Sequence, residues 1–236
     1  MDNTKITHHI SKQFNEELED IRNSVLNMGG MVEQQLANAM KALLEGDISI
    51  AEDVVAGDYK VNALEVAIDE ECSRILARRQ PAAFDLRLVV AVIKTITDLE
   101  RIGDEAEKIA NMMIHLAGMD SVTTNFDALL HMGETAQNML NQALDAFARL
   151  DTELAIKTAK RDKKVDKEFD AINRQMITFM MEDPRCIKQS LDIMWSARAL
   201  ERIGDHACNI CEYIIYQVKG KDIRHTSLSD LEHDDQ

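Results

Sequence analysis

A six-residue string, Leu99-Glu100-Arg101-Ile102-Gly103-Asp104, returns unchanged as Leu200-Glu201-Arg202-Ile203-Gly204-Asp205. Self-similarity over most of a chain means two copies of one structural unit. The rest of the chain follows at a slightly longer spacing. Met28-Gly29 matches Met132-Gly133, Leu36 matches Leu140, Asp47 matches Asp151, and Asp58-Tyr59-Lys60-Val61-Asn62 matches Asp162-Lys163-Lys164-Val165-Asp166. The two prolines, Pro81 and Pro184, each precede the segment that carries the repeated string. Whatever the first half folds into, the second half must fold into as well.

Each copy reads as three helices. Alanine, leucine, isoleucine and methionine dominate, aromatics are only 4%, and nine glycines and two prolines leave few places to stop a helix. A β-sandwich or barrel would need many more turn residues and β-branched runs. In the first copy the pattern predicts helices over about 11–45, 47–79 and 81–118. Gly29-Gly30 offers a place for a kink, Asp47 a side chain to cap the second helix, and Gly118 a stop. In the second copy the spans are about 125–150, 151–182 and 184–220. The expectation is an all-α protein, a tandem pair of three-helix bundles packed lengthwise. The units are residues 1–120 and 121–236, joined through a polar connector at 119–124, with a mobile tail from about 221.

Charge and cysteine usage narrow the function. A net charge of −15 argues against sequence-independent nucleic-acid binding, which needs a basic surface to displace counterions. It suits cations or basic partners instead. No apolar run reaches the roughly 20 residues of a membrane-spanning helix and no signal peptide is evident, so the expected compartment is the cytoplasm. Among the four cysteines, Cys208 and Cys211 have C-x-x-C spacing without a second pair, and apolar helical sequence surrounds them. They read as small buried helix residues rather than a zinc or redox site.

At 100° per residue, Val92, Ile96, Leu99, Gly103, Ala106, Ala110 and Met113 share one face of the third helix, which must be core. Glu100, Asp104, Glu107 and Asn111 run along its shoulder, and Glu201, Asp205, Cys208 and Glu212 take the same places in the second copy. Carboxylates four apart stack one turn above each other and cost a helix about 0.2–0.5 kcal/mol, while a mid-helix glycine costs about 1 kcal/mol against alanine. The repeated string carries both penalties twice. Close approach of a neighbouring helix accounts for the glycine, and Arg101 and Arg202 offset part of the charge. The paired carboxylates have no such structural reason. The second helix supplies a facing stripe: Asp58, Asn62, Glu65 and Asp69 in one copy, Asp162 and Asp166 in the other, with Asp170 close by and Phe169 and Asn173 replacing Glu65 and Asp69. Side by side, these stripes form carboxylate clusters of the kind that hold Mg²⁺, Ca²⁺, Mn²⁺ or iron. Acidic shoulders are most often merely solvated, and that reading stands beside the metal one. The candidate ligands are Glu100, Asp104, Glu65 and Asp69 in the first copy and Glu201, Asp205, Asp162 and Asp166 in the second.

Other chemistry is absent. No glutamate stands three residues before a histidine, as a ferritin-like di-iron site requires. There is no phosphate loop, no nucleophile elbow and no Cys–His pairing. His115, His131 and His206 lack ligand-like spacing. Lys157, Lys160, Arg161, Lys163 and Lys164 form a basic stretch that is either solvated or docks an acidic partner. Lys60, Arg78, Arg79 and Arg87 are weaker candidates for partner or phosphate contacts.

The doubled Leu-Glu-Arg-Ile-Gly-Asp string, Gly57-Asp58-x-x-Val61-Asn62, and Pro81 followed by Asp85-Leu86-Arg87 resemble the PhoU family, from about residue 10 to 220. The resemblance implies two three-helix bundles with pseudo-twofold symmetry, frequent homodimers, and Glu/Asp-x-x-x-Asp motifs that hold metal clusters. It also implies a non-enzymatic negative regulator of phosphate uptake and of the phosphate-starvation response. Such a protein sits at the inner membrane through its partners, linking the ATPase subunit of the phosphate ABC transporter to a membrane sensor histidine kinase. Carried onto this chain, the metal motif falls on Glu100/Asp104 and Glu201/Asp205, with Glu65/Asp69 as the partner pair. Phe169 and Asn173 break that pattern in the second copy. The competing readings are a carboxylate-bridged metalloenzyme, such as a phosphohydrolase, and a helical scaffold without metal.

Overall fold

A computed structural model describes residues 3–81, 83–118 and 126–220. The helices are α1 (Asn3–Glu45), α2 (Ile48–Gly57), α3 (Tyr59–Arg79), α4 (Ala83–Ala117), α5 (Asp127–Arg149), α6 (Thr152–Ala159), α7 (Asp162–Glu182) and α8 (Ile187–Lys219). Among the described residues there is no strand, and no helix is long and apolar enough to cross a membrane. The connector at 119–124 and the tail from 221 lie outside the described residues.

Three like segments per copy are present, but the second is broken. What the periodicity predicts as one helix over 47–79 is α2 followed by α3, and its counterpart is α6 followed by α7. The backbone stays right-handed through both breaks, with φ −58° and ψ −38° at Asp58. The bonds tighten to three-residue spacing: the Val61 amide donates to the Asp58 carbonyl at 2.9 Å and the Arg161 amide to the Thr158 carbonyl at 2.9 Å. Such a tightened turn bends a helix without an extended linker. It also leaves Asp58 and Asp162 at the starts of the long α3 and α7.

Local signals set the other boundaries. Asp47 caps α2 by accepting from the Ser49 and Ile50 amides at 2.9 and 3.2 Å, and Asp151 caps α6 through the Leu154 amide at 2.9 Å. Gly220, at φ +71°, ends α8 with its amide on the Tyr216 carbonyl. Pro184 opens a 3-10 turn (Pro184–Cys186), so α8 begins at Ile187 rather than at the proline. α1 starts earlier than the predicted residue 11 and runs unbroken through Gly29-Gly30.

The interface between the copies is of core quality. All seven residues of the predicted α4 core face are buried, and buried apolar side chains from both copies form one continuous cluster. Its spine is α4 against α8, the most extensive helix contact in the molecule. At about 1.5 Å per residue each is roughly 50 Å long. They run antiparallel: Asp98 meets His206, Glu105 meets Arg202, and His115 meets Asp192. α1 and α5 cross on one side with twin contacts that reveal the pseudo-twofold. Gly29 lies under Leu144, and Gly133 lies under Met40, and Met40 and Leu144 occupy equivalent positions in the two copies.

The glycines divide by what surrounds them. A Cβ at Gly103 would stand 3.2 Å from Asp58 Oδ1 and 3.3 Å from Gln35 Oε1, whereas one at Gly30 would meet nothing within 4 Å. Gly30→Ala is therefore expected to raise unfolding free energy by roughly 0.5–1 kcal/mol. Gly103→Val is expected to lower it by about 1–3 kcal/mol through overpacking. Urea denaturation of both variants reads the opposite signs.

Candidate metal centres

The first centre gathers where the α2–α3 break meets the shoulder of α4. Asp58 is 6% exposed, seated over the missing Cβ of Gly103. Its Oδ1 accepts from Gln35 Nε2 at 2.8 Å and its Oδ2 from Asn62 Nδ2 at 3.0 Å. Asp58, Asp104 and Glu107 each present a ligand atom within 4.8 Å of the others, the one such trio among the described residues. That span is about twice a Ca²⁺–oxygen bond. Glu100 lies one turn along. Burial raises its carboxyl above the usual range, and Asp104, Glu65 and Asp58 push it further. Burial likewise raises Asp104 and Glu107, with Asp58 as the next cause for each. Glu65 reaches the group from α3 and accepts from Thr97 Oγ1 at 3.4 Å.

The second centre repeats the frame with other side chains. Asp162 sits over Gly204, whose Cβ would stand 3.1 Å from Asp162 Oδ1. That oxygen is enclosed and has no hydrogen-bond partner. Burial, then Asp205, Asp166, Glu201 and Glu212, push the Asp162 carboxyl up to about 7. Burial and then Asp205 raise Glu201, although Arg198 pairs with it at 2.5 Å. Burial and then Asp166 raise Asp205. Cys208, standing where the first copy has Glu107, has its thiol pushed up to about 12 by burial and then by Asp162, Glu212, Asp205 and Asp166.

The two aspartates differ in their hydrogen-bond donors. Gln35 and Asn62 donate amide hydrogens to Asp58. At the equivalent positions the second copy has Met139, which has no N–H to give, and Asp166, which adds another negative charge. Burying a carboxylate without donors favours its protonated form.

Seven of the eight predicted ligands fall in the two groups: Glu65, Glu100 and Asp104 in the first, Asp162, Asp166, Glu201 and Asp205 in the second. Asp69 does not. It is exposed, and its charge raises the buried Cys72 thiol on the same helix. One further turn along α3 carries it past the cluster. Asp58, Glu107 and Glu212 belong to the groups and were already legible on the acidic stripes. Gln35 carried a fainter signal, an amide on an otherwise apolar helix face. Phe169, in the place of Glu65, stacks on Arg198 with the guanidinium 5.7 Å from the ring centre.

The remaining candidates are used within the fold. His206 Nδ1 lies 2.6 Å from Asp98 Oδ1, both groups buried. His115 pairs with Asp192, and His131 with Glu168. Arg202 bridges to the buried Glu105 at 2.7 Å. Arg79 forks onto Glu17 at 2.5 and 2.8 Å, and Arg87 donates to the Gln217 carbonyl. In the basic stretch, Lys164 pairs with Glu168, while Lys157 and Lys163 are exposed.

The donor set fits a hard cation. In the first centre the buried Asp58 and the half-buried Asp104 and Glu107 converge, whereas in the second Asp162 and Glu201 are half-buried and Asp166 and Asp205 exposed. Each centre holds an enclosed oxygen with no partner among the described residues, Gln35 Oε1 in one and Asp162 Oδ1 in the other. A bound cation would remove the repulsion that raises these carboxyls.

Comparison with known proteins agrees with this architecture. The family model described as "PhoU domain" matches twice, over residues 25–113 and 129–214. The chain is 50% identical over 229 residues to the phosphate-specific transport system accessory protein PhoU homolog of Pseudomonas aeruginosa, covering 97% of this chain and 95% of that protein. It is 48% identical to the phosphate-specific transport system accessory protein PhoU of Escherichia coli, covering 98% and 96%. Among solved structures it resembles PhoU from Pseudomonas aeruginosa, with TM-score 0.86, 50% identity and coverage of 88% of this chain and all of that one. It also resembles the phosphate transport system regulatory protein PhoU from Streptococcus pneumoniae, with TM-score 0.83, 30% identity and coverage of 89% and 98%.

The raised carboxyls make a signed prediction. Asp162 moves from an ordinary 3.8 to about 7 on folding, so the folded state keeps the proton longer than the unfolded chain does. Its ionisation opposes folding, negligibly below pH 4, increasingly up to pH 7, and fully above that. In chelator-treated protein the thermal midpoint should fall across that window. Asp162→Asn should flatten the fall, and a saturating divalent cation should restore the midpoint near neutral pH. Separately, Glu100→Ala with Asp104→Ala should cut the measured cation stoichiometry while leaving the far-ultraviolet helical signal intact.

Proposed function

This chain belongs to the PhoU family, and we propose that it is a metal-binding adapter that restrains phosphate uptake and the phosphate-starvation response when phosphate is ample. The observation that carries the reading is the match of the PhoU domain to both halves of a chain whose repeated string sets carboxylates at two pseudo-symmetric centres. Relatives covering nearly the whole chain bear names that attach them to phosphate-specific transport. On this reading the adapter acts in the cytoplasm, as a homodimer, and reaches the inner membrane through two partners. One is the ATPase subunit of the phosphate ABC transporter, the other the membrane sensor histidine kinase.

The cation would be held by Asp58, Asp104, Glu107, Glu100 and Glu65 in the first centre and by Asp162, Asp166, Glu201 and Asp205 in the second. A bound Mg²⁺, Mn²⁺, Ca²⁺ or iron would supply positive charge that offsets the repulsion among these carboxylates. The protein's part is to orient the carboxylates from rigid helices and so present a fixed outer surface for docking. The phosphohydrolase reading draws no support from the fold, since the centres lie on helix shoulders rather than in a concave pocket.

The test is affinity capture of the full chain from membranes of cells grown at high and at low phosphate. Recovery of transporter and kinase at high phosphate, with loss of the kinase-linked restraint when the chain is removed, is the expected result. Capture of neither partner at either concentration would overturn the adapter reading.

A further inference from the structure

We propose that the groove between α1 and α5 docks an arginine-bearing peptide segment of a partner protein. The inference rests on the adapter reading for the existence of a partner. Its surface shares no residue with either carboxylate centre.

The groove encloses about 460 Å³ where the two copies cross. Its ten lining residues are five equivalent pairs, so it lies on the pseudo-twofold axis. The pair beneath it, Leu36 and Leu140, is alike and fully buried. Other pairs are unlike: the first copy supplies Gly30 and Ala37 where the second supplies Glu134 and Asn141. A symmetric frame with unlike sides favours one orientation of whatever enters it.

Gly30 is the sign that something approaches from outside. A mid-helix glycine weakens a helix. Its neighbour Gly29 is explained by Leu144, which lies where a Cβ would stand. Gly30 has no such reason, since a Cβ there would meet nothing within 4 Å and α1 runs through it without a break. Glycine in that place keeps the groove open.

The walls select the occupant. The amide nitrogens of Gln34, Asn138 and Asn141 turn to acceptors within the fold: Asn38 Oδ1 at 2.9 Å, the Glu134 carbonyl at 2.7 Å and Glu33 Oε1 at 2.9 Å. What the groove offers an incoming group is therefore oxygen, from those amides and from the Glu33 and Glu134 carboxylates. No lysine or arginine lines it, and the ion-pair partner of Glu134 among the described residues is His131, at 3.8 Å. A guanidinium matches this set, with five donors in one plane and no acceptor. Its three-carbon stem fits along the leucines beneath. The compact ammonium of a lysine would reach fewer of these oxygens.

The probe is an acetylated, amidated peptide of two arginines spaced by glycines. It is titrated into the full-length protein and followed by nuclear magnetic resonance through the side-chain amides of Gln34, Asn138 and Asn141. Those signals should shift to saturation, and the same peptide with citrulline for arginine should leave them unmoved. Gly30→Leu should abolish binding while keeping the urea midpoint of the parent. Glu33→Gln with Glu134→Gln should weaken binding by about tenfold. Glu19→Gln with Glu153→Gln, which removes the same charge from exposed sites elsewhere, should not. Absent shifts, equal binding of the citrulline peptide, equal weakening by both double variants, or binding that survives Gly30→Leu would overturn this inference. The peptide needs no cellular component, so such a result leaves the adapter reading to membrane capture.

Discussion

An aspartate seated on a glycine, buried in one copy and half-buried in the other, links this architecture to its chemistry. Asp58 over Gly103 and Asp162 over Gly204 occur where a broken helix meets the shoulder of a long central one. Without the glycine, a β-carbon would fill the seat. Without the tightened turn, the carboxylate would not sit at the start of α3 or α7. The doubled string therefore does three jobs with neighbouring residues. Its leucine and isoleucine build the core, its glycine opens the seat, and its two carboxylates face the aspartate that fills it.

The same frame carries unequal contents. In the first copy amides from Gln35 and Asn62 satisfy the buried aspartate. In the second, Met139 and Asp166 do not, and the Asp162 carboxyl rises to about 7. The backbone has kept its shape in both halves while the donors around the seat diverged. Fold symmetry thus says where a site lies, and only the individual side chains say what it binds.

Much of this was legible in the sequence because repetition and helical periodicity are strong signals. The duplication, the helical class, the α4 core face, the Asp47 cap and the acidic shoulders all follow from spacing. The helix breaks were not legible, because Asp58 and Lys160 keep right-handed torsions and no proline marks the bend. Asp69 stands apart from the first group for a related reason. A stripe of constant angle extends the length of a helix, whereas the helix it faces offers partners over only part of that length. Gln35 was missed because its role depends on α1 lying across the break, a contact between segments far apart in the chain.

The crossed contacts of Gly29 with Leu144 and Gly133 with Met40 have a consequence for how such a chain arises. Each half carries both the hollow and the side chain that fills its counterpart's hollow, so a half-length ancestor could have mated with itself before fusion. Once both halves were written into one polypeptide, the two fillings no longer had to be encoded by the same codon. Leucine on one side and methionine on the other record that release.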